Sequence, residues 1–310
     1  LRQAGTAQAG EERRVSWLWV VFTLLAAAGQ TARNAMQREL TATLGTVGAT
    51  HVRFLFGFPF AIVFLAGVLT ATGYGLPAPP AVFWPWVLLG ALAQILATAL
   101  MLAAMNDRSF VVTIAYIKTE AVQAAVFGLL FLGDEVTLLM LAAIAVATIG
   151  VVLMSFRPGL AVQGSFKPTL LGLVSGGMFA LSATGYRGAI LSLDHANFVV
   201  AATYSLAVGL VLQAALLTLY LACLQRGVLL AIARAWRPSL FAGFMGATAS
   251  QFWFLAFALT SVANVRTLAL VEVLFAQAVS SAIFKQRTTG REAAGMALIV
   301  AGVSLLIWAQ

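Results

Sequence analysis

Lys118-Thr119-Glu120-Ala121-Val122 and Leu270-Val271-Glu272-Val273-Leu274 each set one carboxylate inside a run otherwise apolar enough to cross a bilayer. The two glutamates fall at the same place in two stretches, residues 89–154 and 241–306, that lie on each other without a gap at a constant shift of 152. At that shift Ala104 meets Ala256, Ser109 meets Ser261, Ala124 meets Ala276, Thr137 meets Thr289, Ala142 meets Ala294, and Gly150-Val151 meets Gly302-Val303. Coincidences of Ala, Gly and Val are cheap in this composition. The glutamate match is not, because the 310 residues hold only 10 acids.

Working outward, 62% apolar residues, 9% charged residues and a mean hydropathy of +0.98 give more oily surface than a soluble chain of this size can bury. The chain reads as an all-α integral membrane protein. The single Cys223 excludes a disulfide framework or a cysteine metal cluster. The net charge of +8 is spread around hydrophobic runs rather than gathered in a basic block, which argues for lipid headgroups and against nucleic acid. No His-Glu-x-x-His, paired-aspartate or phosphate-loop motif is present, so the reading is a non-enzyme with no catalytic residues, no metal and no cofactor.

A bilayer core of about 30 Å takes roughly 20 apolar residues per helix. Ten spans are expected: 15–37, 47–70, 83–105, 109–132, 137–156, 169–191, 197–223, 239–258, 262–284 and 291–309. Turn or charge signals separate them, among them Tyr74-Gly75-Leu76-Pro77, Asn106-Asp107-Arg108, Gly133-Asp134-Glu135, Arg157-Pro158-Gly159 and Lys285-Gln286-Arg287. Arg13-Arg14 followed by an apolar run and Ala26-Ala27-Ala28 imitates a secretory signal. Its full span length argues for mature structure, with a short polar tail at 1–14 ahead of it. The expected units are 1–156 and 157–310, five spans each. An odd number of spans makes consecutive units insert in opposite senses, giving two inverted five-helix repeats around a central cavity.

The helices from Ala103-Ala104 through Lys118-Thr119-Glu120-Ala121-Val122 and Leu132-Gly133-Asp134-Glu135 to Gly150-Val151-Val152 resemble the EamA module of the drug/metabolite transporter superfamily, over essentially the whole chain as two modules. Ala121 stands where proline is usual, Gly133-Asp134-Glu135 carries one extra residue, and the second copy has Lys285-Gln286-Arg287 in place of the acidic turn. The resemblance implies a secondary transporter of small metabolites in a bacterial inner membrane. The family includes YddG-type exporters of aromatic amino acids as well as carriers of other metabolites, among them anionic or zwitterionic compounds and drugs.

Polar groups inside spans are costly in hydrocarbon and are expected to face the bundle interior, a partner or water. On the fourth span Tyr116, Glu120 and Gln123 share a helical face, while Lys118 projects elsewhere toward an acid on a neighbouring helix. On the first, Gln30, Arg33, Asn34 and Gln37 share another, which either lines the cavity or leaves the membrane with Arg33 snorkelling to headgroups. Gln94, Gln251, Trp253, Asn264 and Glu272 complete the candidate substrate contacts. Glu120, Glu272 and His51 are the candidates for proton coupling, with an interfacial hydrogen-bonding role as the alternative for His51. Arg53 and Arg187 sit near span ends, where anchoring is the default. Gly29, Gly57, Gly90, Gly172, Gly176 and Gly177 read as close-packing sites, and Trp17, Trp19, Trp84, Trp86 and Trp236 as interface belts.

Arg33, Arg53, Lys118, Arg187 and Arg266 against Glu120 and Glu272 make an electropositive interior that favours a carboxylate or phosphate. An amino acid, its carboxylate on Arg or Lys and its ammonium near Glu120, answers both signs, and Trp253 and Tyr116 suit an aromatic one. Arg38, Arg108, Arg157, Lys167, Arg226, Arg234, Arg237, Lys285, Arg287 and Arg291 fall on one set of loops, whereas Arg2, Arg13 and Arg14 fall on the other. The positive-inside rule then puts both termini in the periplasm. The expected partners are the solute, the lipid bilayer and protons, with the chain a monomer or weak dimer.

Overall fold

The computed structural model describes residues 2–107, 113, 116–155, 167–193, 196–275, 277 and 289–309. They contain helices and turns and no strand. Helix α1 (Arg2–Leu55) is broken at Gly45, whose φ of 68° and ψ of 175° are open only to glycine. There the chain folds back. Gln37 donates to the Ala49 carbonyl at 3.1 Å, although twelve residues of continuous helix would separate the two by about 18 Å. After a break at Phe56–Gly57, α2 (Phe58–Thr72) starts with proline in its first turn and stops at left-handed Gly73.

Next come α3 (Phe83–Asp107), α4 (Glu120–Phe127) with a π-helical extension Gly128–Leu132, α5 (Leu138–Ser155) and α6 (Lys167–Leu191). Helix α7 (Phe198–Leu224) is capped by the Asn197 side chain on the Val199 N–H, and the short α8 (Arg226–Arg234) leads into α9 (Trp236–Leu259). Helix α10 (Val262–Leu268), capped by Ser261, runs into the 3₁₀ turn Ala269–Val271. A Thr289–Glu292 capping box opens α11 (Gly290–Trp308).

Six segments are long and apolar enough to cross a membrane: Met36–Thr72, Phe83–Met105, Thr169–Leu191, Phe198–Leu224, Trp236–Leu259 and Gly290–Trp308. Glu120–Leu132 and Leu138–Met154 are shorter apolar helices. The chain is an all-α, multi-pass membrane protein. Six segments reach span length among the described residues; the expected spans 109–132, 137–156 and 262–284 run into residues outside them, and helix is interrupted at Gly45, at Lys118–Thr119 and in the turn Ala269–Val271. The expected boundary at 156/157, and Arg108, Ser109, Arg157, Lys285 and Arg287, lie outside the described residues.

The most extensive packing joins α3 to α6, α1 to α9 and α5 to α11. Lipid tails are as apolar as leucine, so helices in a membrane associate through small residues and interhelical hydrogen bonds. A Cβ on Gly185 would stand 2.7 Å from the Gly90 nitrogen, and one on Gly150 2.7 Å from the Gly295 carbonyl. Gly29 meets Ala249, Gly172 meets Tyr116, Gly176 meets Ile117 and Gly177 meets Gln123. Ser182 and Ser175 on α6 donate to the carbonyls of Gly90 and Ala97 on α3, both at 2.8 Å. Outside, Val63, Leu130, Leu138 and Leu219 are exposed, a surface suited to acyl chains. Trp17, Trp84 and Trp236 share that exposure. Trp19 does not: it is buried in the core with Ala26 and Ala27, and Trp86 packs its ring on Gly188.

Candidate functional site

Among the described residues six charged side chains, each at most 4% exposed, lie in the bundle: Arg33, Arg53, Lys118, Glu120, Arg266 and Glu272. Local backbone interruptions gather several of them. Two residues apart on an α-helix, Lys118 and Glu120 would diverge by about 200°. A turn at Lys118–Thr119 sits ahead of α4 instead, and both side chains face the same cluster. Arg266 and Glu272 are likewise carried inward across the 3₁₀ turn between them.

Lys118 Nζ donates to Glu272 Oε2 at 2.5 Å and lies 3.9 Å from Glu120 Oε1. Arg266 Nη1 reaches Glu120 Oε1 at 3.6 Å. Gln30 Nε2 donates to Glu272 Oε2 at 3.3 Å, and Gln30 Oε1 accepts from Trp253 Nε1 at 3.0 Å. A polar chain thus runs from α9 through α1 to the segment ahead of α4. The Arg266 guanidinium lies over Trp253 at 4.7 Å and Phe257 at 5.3 Å, a cation–π arrangement strengthened by desolvation. Arg33 donates from Nε and Nη2 to Asn34 Oδ1 at 3.2 and 2.8 Å, and Arg53 Nη1 donates to Thr98 Oγ1 at 3.2 Å.

Where the central cavity is expected, the described residues enclose two voids of about 10 Å³ each, room for about one water. Arg33, Asn34, Lys118 and Glu120 line the first; Arg53, Gln94, Tyr186 and Trp253 line the second; Gln30, Phe179 and Arg266 line both.

Of the residues marked in the sequence, Gln30, Arg33, Asn34, Gln94, Lys118, Glu120, Trp253 and Glu272 come together. The expected face of Tyr116, Glu120 and Gln123 is split. Tyr116 packs on Gly172, and Gln123 bonds Thr119 Oγ1 and the Leu173 carbonyl, so both meet α6. Gln251 bonds Thr203, Asn264 bonds Thr260, and His51, fully buried, pairs with Thr218 on α7. Arg33 and Arg53 are buried too, so neither snorkels nor anchors at a headgroup. Arg187 instead closes the end of α9, donating to the carbonyls of Phe257, at 2.7 Å, and Thr260, with Asp134 at 3.5 Å.

Arg53 and Arg266 were read as part of an electropositive interior but not among the substrate contacts. Phe179, Ser182, Tyr186 and Ser250 carried no signal, being ordinary residues of apolar helices. Among the described residues no group of three or more His, Cys, Asp or Glu converges on a point.

No protein-family model and no curated protein matches the chain. A solved structure described only as "Crystal structure of protein" superposes with a TM-score of 0.66 over 96% of this chain and 99% of that one, at 15% sequence identity. At that identity the likeness speaks for a shared fold, and a fold of this kind hosts more than one activity.

Proposed function

We propose that the chain is a secondary transporter of small carboxylate-bearing metabolites, amino acids including aromatic ones among them, working by alternating access between two inverted five-helix halves in a bacterial inner membrane. The observation that carries the reading is the cluster of six buried charges inside a bundle coated with apolar side chains. Intramembrane ionisable groups are expensive and mark solute or ion pathways. The helix pairings support two equivalent halves. Exchanging α1 with α6, α2 with α7, α3 with α9, α4 with α10 and α5 with α11 turns the α3/α6 pair into α9/α1 and α4/α6 into α10/α1. It leaves α5/α11, α2/α7 and α4/α10 unchanged. Such an exchange is what a pseudo-two-fold axis in the membrane plane produces.

In this reading the structure is an occluded form. Lys118 from one half and Glu272 from the other hold the centre shut, and rocking of the halves parts them toward one side or the other. Proton movement on Glu120 or Glu272 would couple to solute through their shared partners Lys118 and Arg266. The test is counterflow of labelled amino acids and organic acids into proteoliposomes, with and without a pH gradient, for the native protein and Glu120→Gln. The reading expects saturable counterflow, with the pH response altered in the variant. Unchanged pH dependence removes Glu120 from coupling, and labels that equilibrate no faster than in empty vesicles refute transport.

A further inference from the structure

Resting on the transport reading above, we infer that the ligand of this site is a dicarboxylate, a small organic dianion with one carboxylate on Arg33 and the other on Arg53. Among the described residues the buried charges do not balance. Four cations, Arg33, Arg53, Lys118 and Arg266, share the interior with two carboxylates, and both carboxylates already face Lys118. Glu272 accepts from Lys118 and Gln30, and Glu120 lies between Lys118 and Arg266. The hydrogen-bond acceptors of Arg33 and Arg53 among the described residues are the neutral Asn34 and Thr98. Among the described residues neither has a carboxylate within 4.0 Å. Glu272 is within electrostatic reach of Arg33, yet its oxygen is already held by Lys118.

A guanidinium does not shed its proton to relieve this imbalance. The two arginines are 1% and 2% exposed, and Arg33 Nη1 and Arg53 Nε lack any hydrogen-bond partner. Their stems also run side by side: a Cβ on Gly246 would lie 3.4 Å from both Arg33 Cδ and Arg53 Cγ. Two like charges buried together call for two negative charges from outside. Each arginine lines a different one of the two adjoining voids, so the two charges belong to separate groups on a short carbon linker rather than to one phosphate.

A zwitterion fits less well. Glu120 Oε1 lacks a hydrogen-bond partner, but an ammonium beside it would stand next to Lys118 and Arg266. The inference therefore narrows the amino-acid expectation to solutes without an uncompensated ammonium.

The full-length protein in proteoliposomes, preloaded in turn with succinate, phenylalanine or inorganic phosphate, separates these classes by counterflow of the matching label. Succinate should exceed phenylalanine and phosphate by about ten-fold or more, since charge-assisted carboxylate–arginine pairs are strong. Arg33→Gln and Arg53→Gln should each cut succinate counterflow about ten-fold, and Arg33→Lys and Arg53→Lys, which keep the charge, should lose less. The thermal unfolding midpoint of each variant checks that it is folded, and succinate should raise the midpoint of the native protein but not of the Gln variants. Phenylalanine or phosphate counterflow that matches or outruns succinate, or folded Gln variants that keep native succinate counterflow, overturns the dicarboxylate assignment and leaves transport standing. No counterflow of any of the three solutes by folded protein defeats the transport reading itself, and this one with it.

Discussion

Deleting either partner of the Lys118–Glu272 pair should destabilise the fold, but unequally. The pair is 2.5 Å long and its side chains are 2% and 4% exposed, a setting in which removing one partner costs about 3–5 kcal/mol because the other charge is left buried. The surroundings decide the order. The cluster holds four cations and two carboxylates. Glu272→Gln raises the positive excess and leaves Lys118 with Glu120 alone, at 3.9 Å, so it should fall near the top of that range. Lys118→Met lowers the excess. It leaves Glu272 with the Gln30 hydrogen bond at 3.3 Å and with Arg33 in electrostatic reach, and should cost roughly half as much, on the order of 2 kcal/mol. The double variant Lys118→Met/Glu272→Met should lose less than the sum of the singles, since apolar replacement of a whole buried pair is often close to neutral. Unfolding free energies from denaturing-detergent titration of protein in mild detergent would measure all three. Equal losses for the two singles, or a greater loss for Lys118→Met, would refute the claim that excess positive charge governs this interior.

Other consequences concern the scaffold. Gly45→Ala, with nothing within 4 Å of the added methyl but a φ of 68° to hold, should cost about 1–3 kcal/mol through backbone strain alone; a thermal midpoint equal to the native one would contradict it. Gly150→Ala drives a methyl into the Gly295 carbonyl and the Ile299 nitrogen and should cost about 1–3 kcal/mol by overpacking. Gly67→Ala on α2 meets nothing within 4 Å and should be neutral or stabilising by up to about 1 kcal/mol, so the same melting assay contains its own control. Arg187→Met strips the donors from the last carbonyls of α9 and should cost about 1–3 kcal/mol, seen as faster amide hydrogen exchange around Leu259 than elsewhere in that helix.

Sequence reading reached the membrane class, the helical content, the small-residue packing positions and eight of the residues in the cluster. It reached them because each rests on local chemistry: hydropathy sums along a span, and a charge in an apolar run is conspicuous whatever surrounds it. Lys118 was expected to meet an acid on another helix, and it meets Glu272. The failures share a cause as well. Tyr116, Glu120 and Gln123 were grouped by assuming an unbroken helix, but the turn at Lys118–Thr119 separates Tyr116 from the helix that carries the other two, and Gln123 bonds Thr119 and the Leu173 carbonyl instead of joining the cluster. Trp19 was assigned to the interface by residue type, and packing put it in the core.

By itself, then, the order of residues determined that this chain lives among lipids and carries its acids deep inside, since no bilayer tolerates so few polar residues so placed except around an interior. Only the tertiary structure decided which charges neutralise one another and which are left over. Pairing depends on distances between residues up to 154 apart in the chain, set by glycine contacts and by single turns of irregular backbone that no hydropathy pattern records. The stems of Arg33 and Arg53 come together over Gly246 because α1 folds back at Gly45 and lies along α9. That fold, not composition, leaves two positive charges waiting at the centre.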